Sequence, residues 1–246
     1  MEKIIYYILT AFAVLITLTV HEYFHGYAAY KLGDPTAKHL GRLTLNPIRH
    51  IDPIGALCML LFRVGWAKPV PINARNLSHP RRDIAIISLA GPLSNLVLAI
   101  FSAFAYLLAY SLLRGVSFAN DFLLAVAQNS LDFLFIFHSV NVGIAIFNLI
   151  PIPPLDGSKI LAILLPPRAY FAVMKRERTI YFVLLGWLFI GDFASDYLLS
   201  LPIVASNPTL TFVATALSLS NILGYAISAV SDAIFSILGL IPFFNT

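Results

Sequence analysis

Two histidines and a glutamate lie close together in residues 21–25, inside a long apolar stretch. His21 and His25 are four positions apart, so on a helix their imidazoles lie on one face, one turn from each other. Glu22 lies beside His21. This is the pattern H-E-x-x-H, in which the two histidines bind zinc and the glutamate takes a proton from the attacking water. The sequence therefore predicts His21 and His25 as ligands of one Zn²⁺ per chain and Glu22 as the catalytic group.

The alternative is a packing role, in which these side chains bind no metal and only hydrogen-bond to neighbouring helices. Placing an ionisable group in a lipid-spanning helix costs several kcal/mol, so such groups are rare unless something compensates for them. A bound cation would compensate for Glu22 and use both histidines. We therefore favour a metal site.

Composition places the chain in a bilayer. Of its 246 residues, 59% are hydrophobic and 11% are charged, and the mean hydropathy is +0.84, well above that of a soluble domain. The single cysteine, Cys58, excludes an internal disulfide and a cysteine-rich metal cluster. The net charge is +4, and the basic residues are unevenly placed. In a membrane protein, such an uneven distribution indicates how the spans are oriented across the bilayer. Nothing in the sequence indicates binding to nucleic acid.

Apolar runs of about 20 residues predict an all-α integral membrane protein with about five transmembrane helices. We expect one polytopic domain over residues 1–246, with a catalytic core at about 4–157 and C-terminal helices at about 179–246. The first run continues past His25 without a small-residue cleavage site, which favours a retained helix over a signal peptide. The fifth run is long enough to be two shorter pieces. The runs cover residues 4–30, 84–113, 121–150, 179–201 and 209–241.

The basic residues orient these spans. Nine of the sixteen lysines and arginines lie in 31–82 and five lie in 159–178, so both segments are predicted to face the cytoplasm. The first and third spans then run in the same direction, and their carboxyl-terminal ends lie on the cytoplasmic side.

Residues 40–76 contain a short apolar stretch, 54–62, that is too short to cross the bilayer. We interpret 40–76 as a re-entrant or interfacial loop that can carry short β-strands; a plain cytoplasmic linker is the alternative.

A hydrolytic zinc site needs a third protein ligand. Of the ionisable groups in or near the spans, Asp156 follows the third span at the depth predicted for the two histidines. Prolines 151, 153 and 154 end that span before Asp156, and Gly157 permits a tight bend after it. His138 competes as a ligand, although a packing role suits it better. The other candidates, to which we assign no role, are Asp132, Asp192, Asp196 and Asp232.

HisGluTyrPheHis in the first span and AsnLeuIleProIleProProLeuAspGly at 148–157 together resemble the site-2 protease family of intramembrane zinc metalloproteases. AlaGlyProLeuSerAsn at 90–95 is also typical of bacterial members. The resemblance covers the first three spans. We expect a minimal form of the family, because the sequence shows no room for the PDZ domain that some members insert. It implies zinc bound by His21, His25 and Asp156, catalysis by Glu22 and a substrate-binding role for Asn148, which otherwise reads as a polar cap.

The same resemblance implies cleavage of transmembrane segments in single-span membrane proteins or peptides. We expect the protein to lie in the lipid bilayer of a bacterial cell membrane. Its active site is expected near the cytoplasmic side. An oligomer and a regulatory membrane partner are both compatible with the sequence. Two other functions are alternatives: a membrane metal carrier, and a catalytically inactive protein that binds membrane proteins.

Overall fold

The computed structural model describes residues 2–55 and 67–241, and this part of the chain is mostly helical. Two short 3-10 turns, Pro47–Arg49 and Ala74–Asn76, lie between the helix that ends at His39 and the helix that begins at Pro80. The α-helices are α1 (Glu2–Lys31), α2 (Thr36–His39), α3 (Pro80–Leu113), α4 (Asp121–Leu149), α5 (Asp156–Leu164), α6 (Pro167–Met174), α7 (Glu177–Leu199), α8 (Pro202–Ala205), α9 (Pro208–Ala216) and α10 (Leu219–Gly239).

Five helices of the described part are long and apolar enough to cross a membrane: α1, α3, α4, α7 and α10. The predicted all-α membrane fold with about five spans is confirmed. The predicted fifth span, 209–241, is two helices. They are separated at Leu217 and Ser218, and the Ser218 hydroxyl caps the second by accepting a hydrogen bond from the Asn221 N–H at 3.0 Å.

The centre of the bundle is formed by α1, α3 and α4, and α5 packs against α3. Fully buried alanines lie on these helices, among them Ala13, Ala99 and Ala145. Lipid chains are as apolar as leucine, so small residues that allow close backbone approach favour helix association in a bilayer. α10 packs on α4, while α7 packs chiefly on α9 and α10. The three central helices therefore form the core of the bundle.

The loop after α2 is held by a buried carboxylate. Asp34 accepts hydrogen bonds from the Asn73 N–H at 2.6 Å and from the Asn76 side chain at 2.7 Å. Burial alone would raise the pKa of Asp34, but hydrogen bonds from Thr36, Asn76 and Asn73 hold it below its usual value. The end of α1 is therefore fixed to residues 73–76.

The predicted loop at 40–76 has one antiparallel bridge, between Ile51 and Ala67, and no longer strand among its described residues. The bridge is accompanied by a hydrogen bond from the Lys68 N–H to the His50 carbonyl at 2.8 Å. Residues 56–62 of the apolar stretch that suggested a re-entrant loop lie outside the described residues.

Candidate metal centre

Three ligand atoms from distant parts of the chain converge at the centre of the bundle. Asp156 Oδ2 lies 3.1 Å from His21 Nε2 and 3.0 Å from His25 Nε2. The two imidazole nitrogens are 2.9 Å apart. All three side chains are buried. The described residues thus contain a His-His-Asp group that could hold one metal ion.

The end of α4 brings Asp156 to the histidines. The helix ends at Leu149, and the backbone continues outside a helix until α5 begins at Asp156. Prolines at 151, 153 and 154 favour this interruption because proline lacks the backbone N–H that a helix needs. Asp156 then lies in the first turn of α5, where the partial positive charge of the helix amino terminus favours a carboxylate.

Gly157 serves close packing, and this corrects the predicted tight bend. It is the second residue of α5, and its φ is not among the positive values found at other glycines. A Cβ atom there would collide with the backbone carbonyls of Leu149 and Ile150. The absence of a side chain lets α5 start directly against the end of α4.

The other nitrogen of each imidazole faces α3. His25 Nδ1 lies 2.7 Å from the carbonyl oxygen of Ile87. A carbonyl oxygen can only accept, so Nδ1 carries a proton. In the neutral imidazole with that proton, Nε2 has a lone pair available for a metal ion. His21 Nδ1 lies 3.1 Å from the Asn95 amide nitrogen.

The second oxygen of Asp156 faces a lysine. Lys159 Nζ, one turn further along α5, donates a hydrogen bond to Asp156 Oδ1 at 3.2 Å. Burial acts to raise the pKa of Asp156, but the hydrogen bonds with His21 and His25 and the charge of Lys159 outweigh it and hold the pKa well below its usual value. The carboxylate is therefore ionised at neutral pH, as a metal ligand must be.

Glu22 lies beside the three ligand atoms and is held by the loop. Its Oε2 accepts a hydrogen bond from the Val70 N–H at 2.8 Å. Pro69 and Pro71 flank Val70, so this amide is the one backbone donor in 69–71. One carboxylate oxygen of Glu22 is therefore fixed by the loop.

A cavity of about 170 Å³ opens beside these groups, and it is lined in part by the proline-rich segment and by the loop. Asn148 lies on its wall, with its amide nitrogen donating to the Ile144 carbonyl of its own helix at 3.0 Å. The lining residues are His21, Glu22, His25, Pro69, Val70, Ile72, Ser88, Asn148, Pro154, Asp156 and Lys159.

The donor set fits zinc. Two imidazole nitrogens and one carboxylate oxygen are ordinary zinc ligands, and a hydrolytic site keeps a fourth position open. Zinc bonds of about 2.0–2.2 Å place tetrahedral ligand atoms about 3.3–3.6 Å apart. The observed separations of 2.9, 3.0 and 3.1 Å differ from this by a few tenths of an ångström. Small side-chain adjustments suffice for all three atoms to bind one ion.

The family model of peptidase family M50 matches residues 9–191 of the chain. The chain belongs to peptidase family M50. The match ends within α7, further along the chain than the three spans on which the predicted resemblance rests. Family membership confirms that resemblance.

Relatives of this M50 protein carry matching names. YwhC of Bacillus subtilis (strain 168), named as a zinc metalloprotease, is 37% identical over 200 residues, which are 79% of this chain and 88% of YwhC. Rip2 of Mycolicibacterium smegmatis, also named as a zinc metalloprotease, is 34% identical over 157 residues, 61% of this chain and 55% of Rip2. Rip2 of Mycobacterium tuberculosis (strain Erdman) has the same description and is 30% identical over 190 residues, 71% of this chain and 68% of Rip2.

No solved structure matches the chain at a significant level. The family and these relatives show that the M50 protein is a zinc-dependent metalloprotease, and the five apolar helices among its described residues make it a multi-pass membrane protein.

The competing ligand candidate, His138, lies elsewhere in the M50 protein. It is fully buried, and its ring nitrogens lie 2.9 Å from the Ala99 carbonyl and 3.0 Å from the Ser231 hydroxyl. His138 thereby links α4 to α3 and α10. Asp192 is engaged with the hydroxyls of Ser218 and Ser220. Neither residue is in the His-His-Asp group, and Asp132, Asp196 and Asp232 are also outside it.

Gly91 of the M50 protein is where α3 passes the two histidines. A Cβ atom there would lie 2.5 Å from His25 Nε2 and 2.7 Å from His21 Cε1. Gly91→Ala is therefore expected to push the imidazoles away by about 1 Å, and a displacement of this size costs about 100-fold in rate. Zinc content and peptide cleavage of the purified variant measure the effect.

Gly224→Ala in α10 is the matched control, since no heavy atom lies within 4 Å of the added Cβ. If Gly91→Ala kept the zinc content and activity of Gly224→Ala, the close approach of α3 to the imidazoles would be wrong.

Five residues that contact the site were assigned no role from the sequence: Gly91, Asn95, Ile87, Val70 and Lys159. Gly91 and Asn95 were visible as part of AlaGlyProLeuSerAsn, and Lys159 as a cation three residues after Asp156 on a helix. Ile87 and Val70 act through backbone atoms, which every residue has, so no residue type could have revealed them.

Proposed function

We propose that this M50 metalloprotease cleaves peptide bonds within transmembrane segments, at a zinc ion held by His21, His25 and Asp156. One observation carries the proposal: the three ligand atoms lie about 3 Å apart in the buried centre of a bundle of apolar helices, next to Glu22. A substrate for such a site has to approach through the membrane region.

Glu22 is the proposed general base. The chemistry supplied by bound zinc is Lewis acidity, which polarises a peptide carbonyl and makes water a nucleophile near neutral pH. Glu22 takes the proton of the attacking water and returns it to the leaving amine. The Val70 N–H orients the carboxylate by holding its Oε2.

Asn148 is the proposed substrate-binding residue. It lies on the wall of the cavity, together with Glu22 and Pro154. One N–H of its amide is used by the Ile144 carbonyl, and an amide nitrogen has a second hydrogen to donate. That hydrogen suits a carbonyl of the substrate or the oxyanion that develops from it.

We further propose that residues 1–246 form one domain, that about 4–157 form its catalytic core and that about 179–246 add the C-terminal helices. The packing of α1, α3 and α4 around the site supports this division. The basic segments 31–82 and 159–178 favour a site near the cytoplasmic face of a bacterial cell membrane. Single-span membrane proteins or peptides are the proposed substrates. Peptidase family membership favours this function over a metal carrier.

The test uses the purified full chain in lipid vesicles with single-span peptides, and maps cut sites by mass spectrometry. We expect cuts inside the apolar segment, loss of cleavage on zinc chelation and recovery when zinc is returned. Cuts confined to the polar flanks would contradict intramembrane cleavage. Zinc-loaded protein that cuts none of a panel of such peptides would support the inactive membrane-protein binder instead.

A further inference from the structure

Asn95 is a fully buried asparagine of α3 whose amide faces the metal centre. Its exposed fraction is 0%, and its Nδ2 lies 3.1 Å from His21 Nδ1. The other end of the amide, Oδ1, is buried without a hydrogen-bond partner among the described residues. Buried polar side chains are nearly always hydrogen-bonded, so an unpartnered amide atom beside a metal centre calls for a physical reason.

The amide fits its position in two orientations. Nitrogen and oxygen are of similar size and exchange places when the group turns by 180°. As placed, the amide nitrogen faces His21 and the oxygen has no partner among the described residues. Turned by 180°, the amide presents its oxygen to His21 instead, so the proton on His21 decides which orientation forms the hydrogen bond.

The position of that proton follows from the direction in which His21 offers its lone pair. His21 Nε2 is the atom that faces Asp156 Oδ2 and His25 Nε2. A neutral imidazole that offers Nε2 to a metal carries its proton on Nδ1. The group opposite Nδ1 must then be an acceptor, and Asn95 has one acceptor, its Oδ1.

We propose that Asn95 is a positioning residue of the zinc centre: its amide oxygen accepts the His21 Nδ1–H and fixes the ring with Nε2 towards the metal. This inference rests on the proposed role of His21 as a zinc ligand. It gives the buried amide oxygen a partner and accounts for an asparagine in the middle of a membrane-spanning helix.

The spacing along α3 supports the inference. Ile87, Gly91 and Asn95 follow each other at four-residue intervals, which places them on one helix face. The Ile87 carbonyl accepts from His25 Nδ1 at 2.7 Å, and Gly91 leaves space for both rings. One face of α3 thus orients both histidines, with a backbone oxygen for His25 and the Asn95 side-chain oxygen for His21.

The experiment measures zinc affinity of the purified full chain by competition with a chromophoric chelator. Asn95→Leu keeps a similar volume and removes the acceptor, whereas Asn95→Asp keeps an acceptor oxygen. Loss of an outer partner of a metal-bound histidine typically weakens metal binding by about 10- to 100-fold. We expect this loss for Asn95→Leu and recovery to within about tenfold of wild type for Asn95→Asp.

The matched control is Asn141→Leu in α4. Asn141 is also fully buried, its Oδ1 also has no partner among the described residues, and its Nδ2 donates to the Phe137 carbonyl of its own helix. A merely structural role for a buried asparagine predicts equal effects at 95 and 141. We expect wild-type zinc affinity for Asn141→Leu.

Wild-type zinc affinity in Asn95→Leu, or equal losses in Asn95→Leu and Asn95→Asp, would overturn the inference. If Asn95→Leu does not fold, as judged by loss of its thermal unfolding transition, Asn95→Ala takes its place with the same expected loss. His21→Ala in the same assay separates the two proposals. Retained tight zinc there would refute the proposed site itself, whereas zinc loss there with wild-type affinity in Asn95→Leu would refute only the role of Asn95.

Discussion

Glu22→Gln is expected to abolish peptide cleavage while the protein keeps its zinc. Glutamine has the shape of glutamate and can still accept the Val70 N–H through its amide oxygen, so the loop contact seen at 2.8 Å is preserved. An amide cannot take the proton of water, and a positioned general base contributes about 10²- to 10⁴-fold to rate. A fall in kcat of at least this size with one zinc per chain is the expected result.

Glu177→Gln is the matched control. Glu177 lies exposed at the start of α7 and is not part of the cavity beside the three ligand atoms. Its substitution should leave both zinc content and kcat at wild-type values. Activity of Glu22→Gln equal to that of Glu177→Gln would show that Glu22 is not the general base. Metal loss in Glu22→Gln would instead indicate that Glu22 helps to hold the ion.

Asp156→Asn is expected to lose zinc. The substitution keeps the shape of the side chain but replaces a negatively charged ligand by a neutral amide. The two imidazole nitrogens, 2.9 Å apart, would then have to hold the cation without a negative charge between them. Since loss of an outer partner already costs about 10- to 100-fold in metal affinity, we expect a larger loss here, measured as zinc per chain after gel filtration.

Asp192→Asn provides the control for a membrane-level aspartate outside the site. Asp192 accepts hydrogen bonds from Ser218 at 2.5 Å and Ser220 at 2.7 Å, so the same change is made in a comparable polar setting. Its zinc content should stay at one per chain. Wild-type zinc affinity in Asp156→Asn would remove Asp156 from the ligand set.

The sequence was most informative where a residue type has one physical meaning. Apolar runs gave the five spanning helices because backbone groups in lipid must be satisfied within a helix. Prolines between 151 and 154 indicated that α4 ends before Asp156, since proline cannot continue a helix. The shared depth of Asp156 and the histidines followed from counting spans and basic residues.

The sequence was least informative where contacts between helices decide the outcome. Asn95 and Gly91 were visible as a motif, but their contacts with His21 and His25 depend on the rotation of α3 against α1. The Val70 N–H that holds Glu22 depends on the path of a loop. Gly157 was expected to allow a bend, and its packing against the end of α4 required knowledge of where α5 starts.

Anomalous X-ray scattering at the zinc edge from crystals of the full chain tests the position of the metal most directly. We expect one peak per chain, about 2.0–2.2 Å from His21 Nε2, His25 Nε2 and Asp156 Oδ2. A peak at any other group of residues, or one that touches the two histidines but lies beyond bonding distance of Asp156, would contradict a zinc site made of His21, His25 and Asp156.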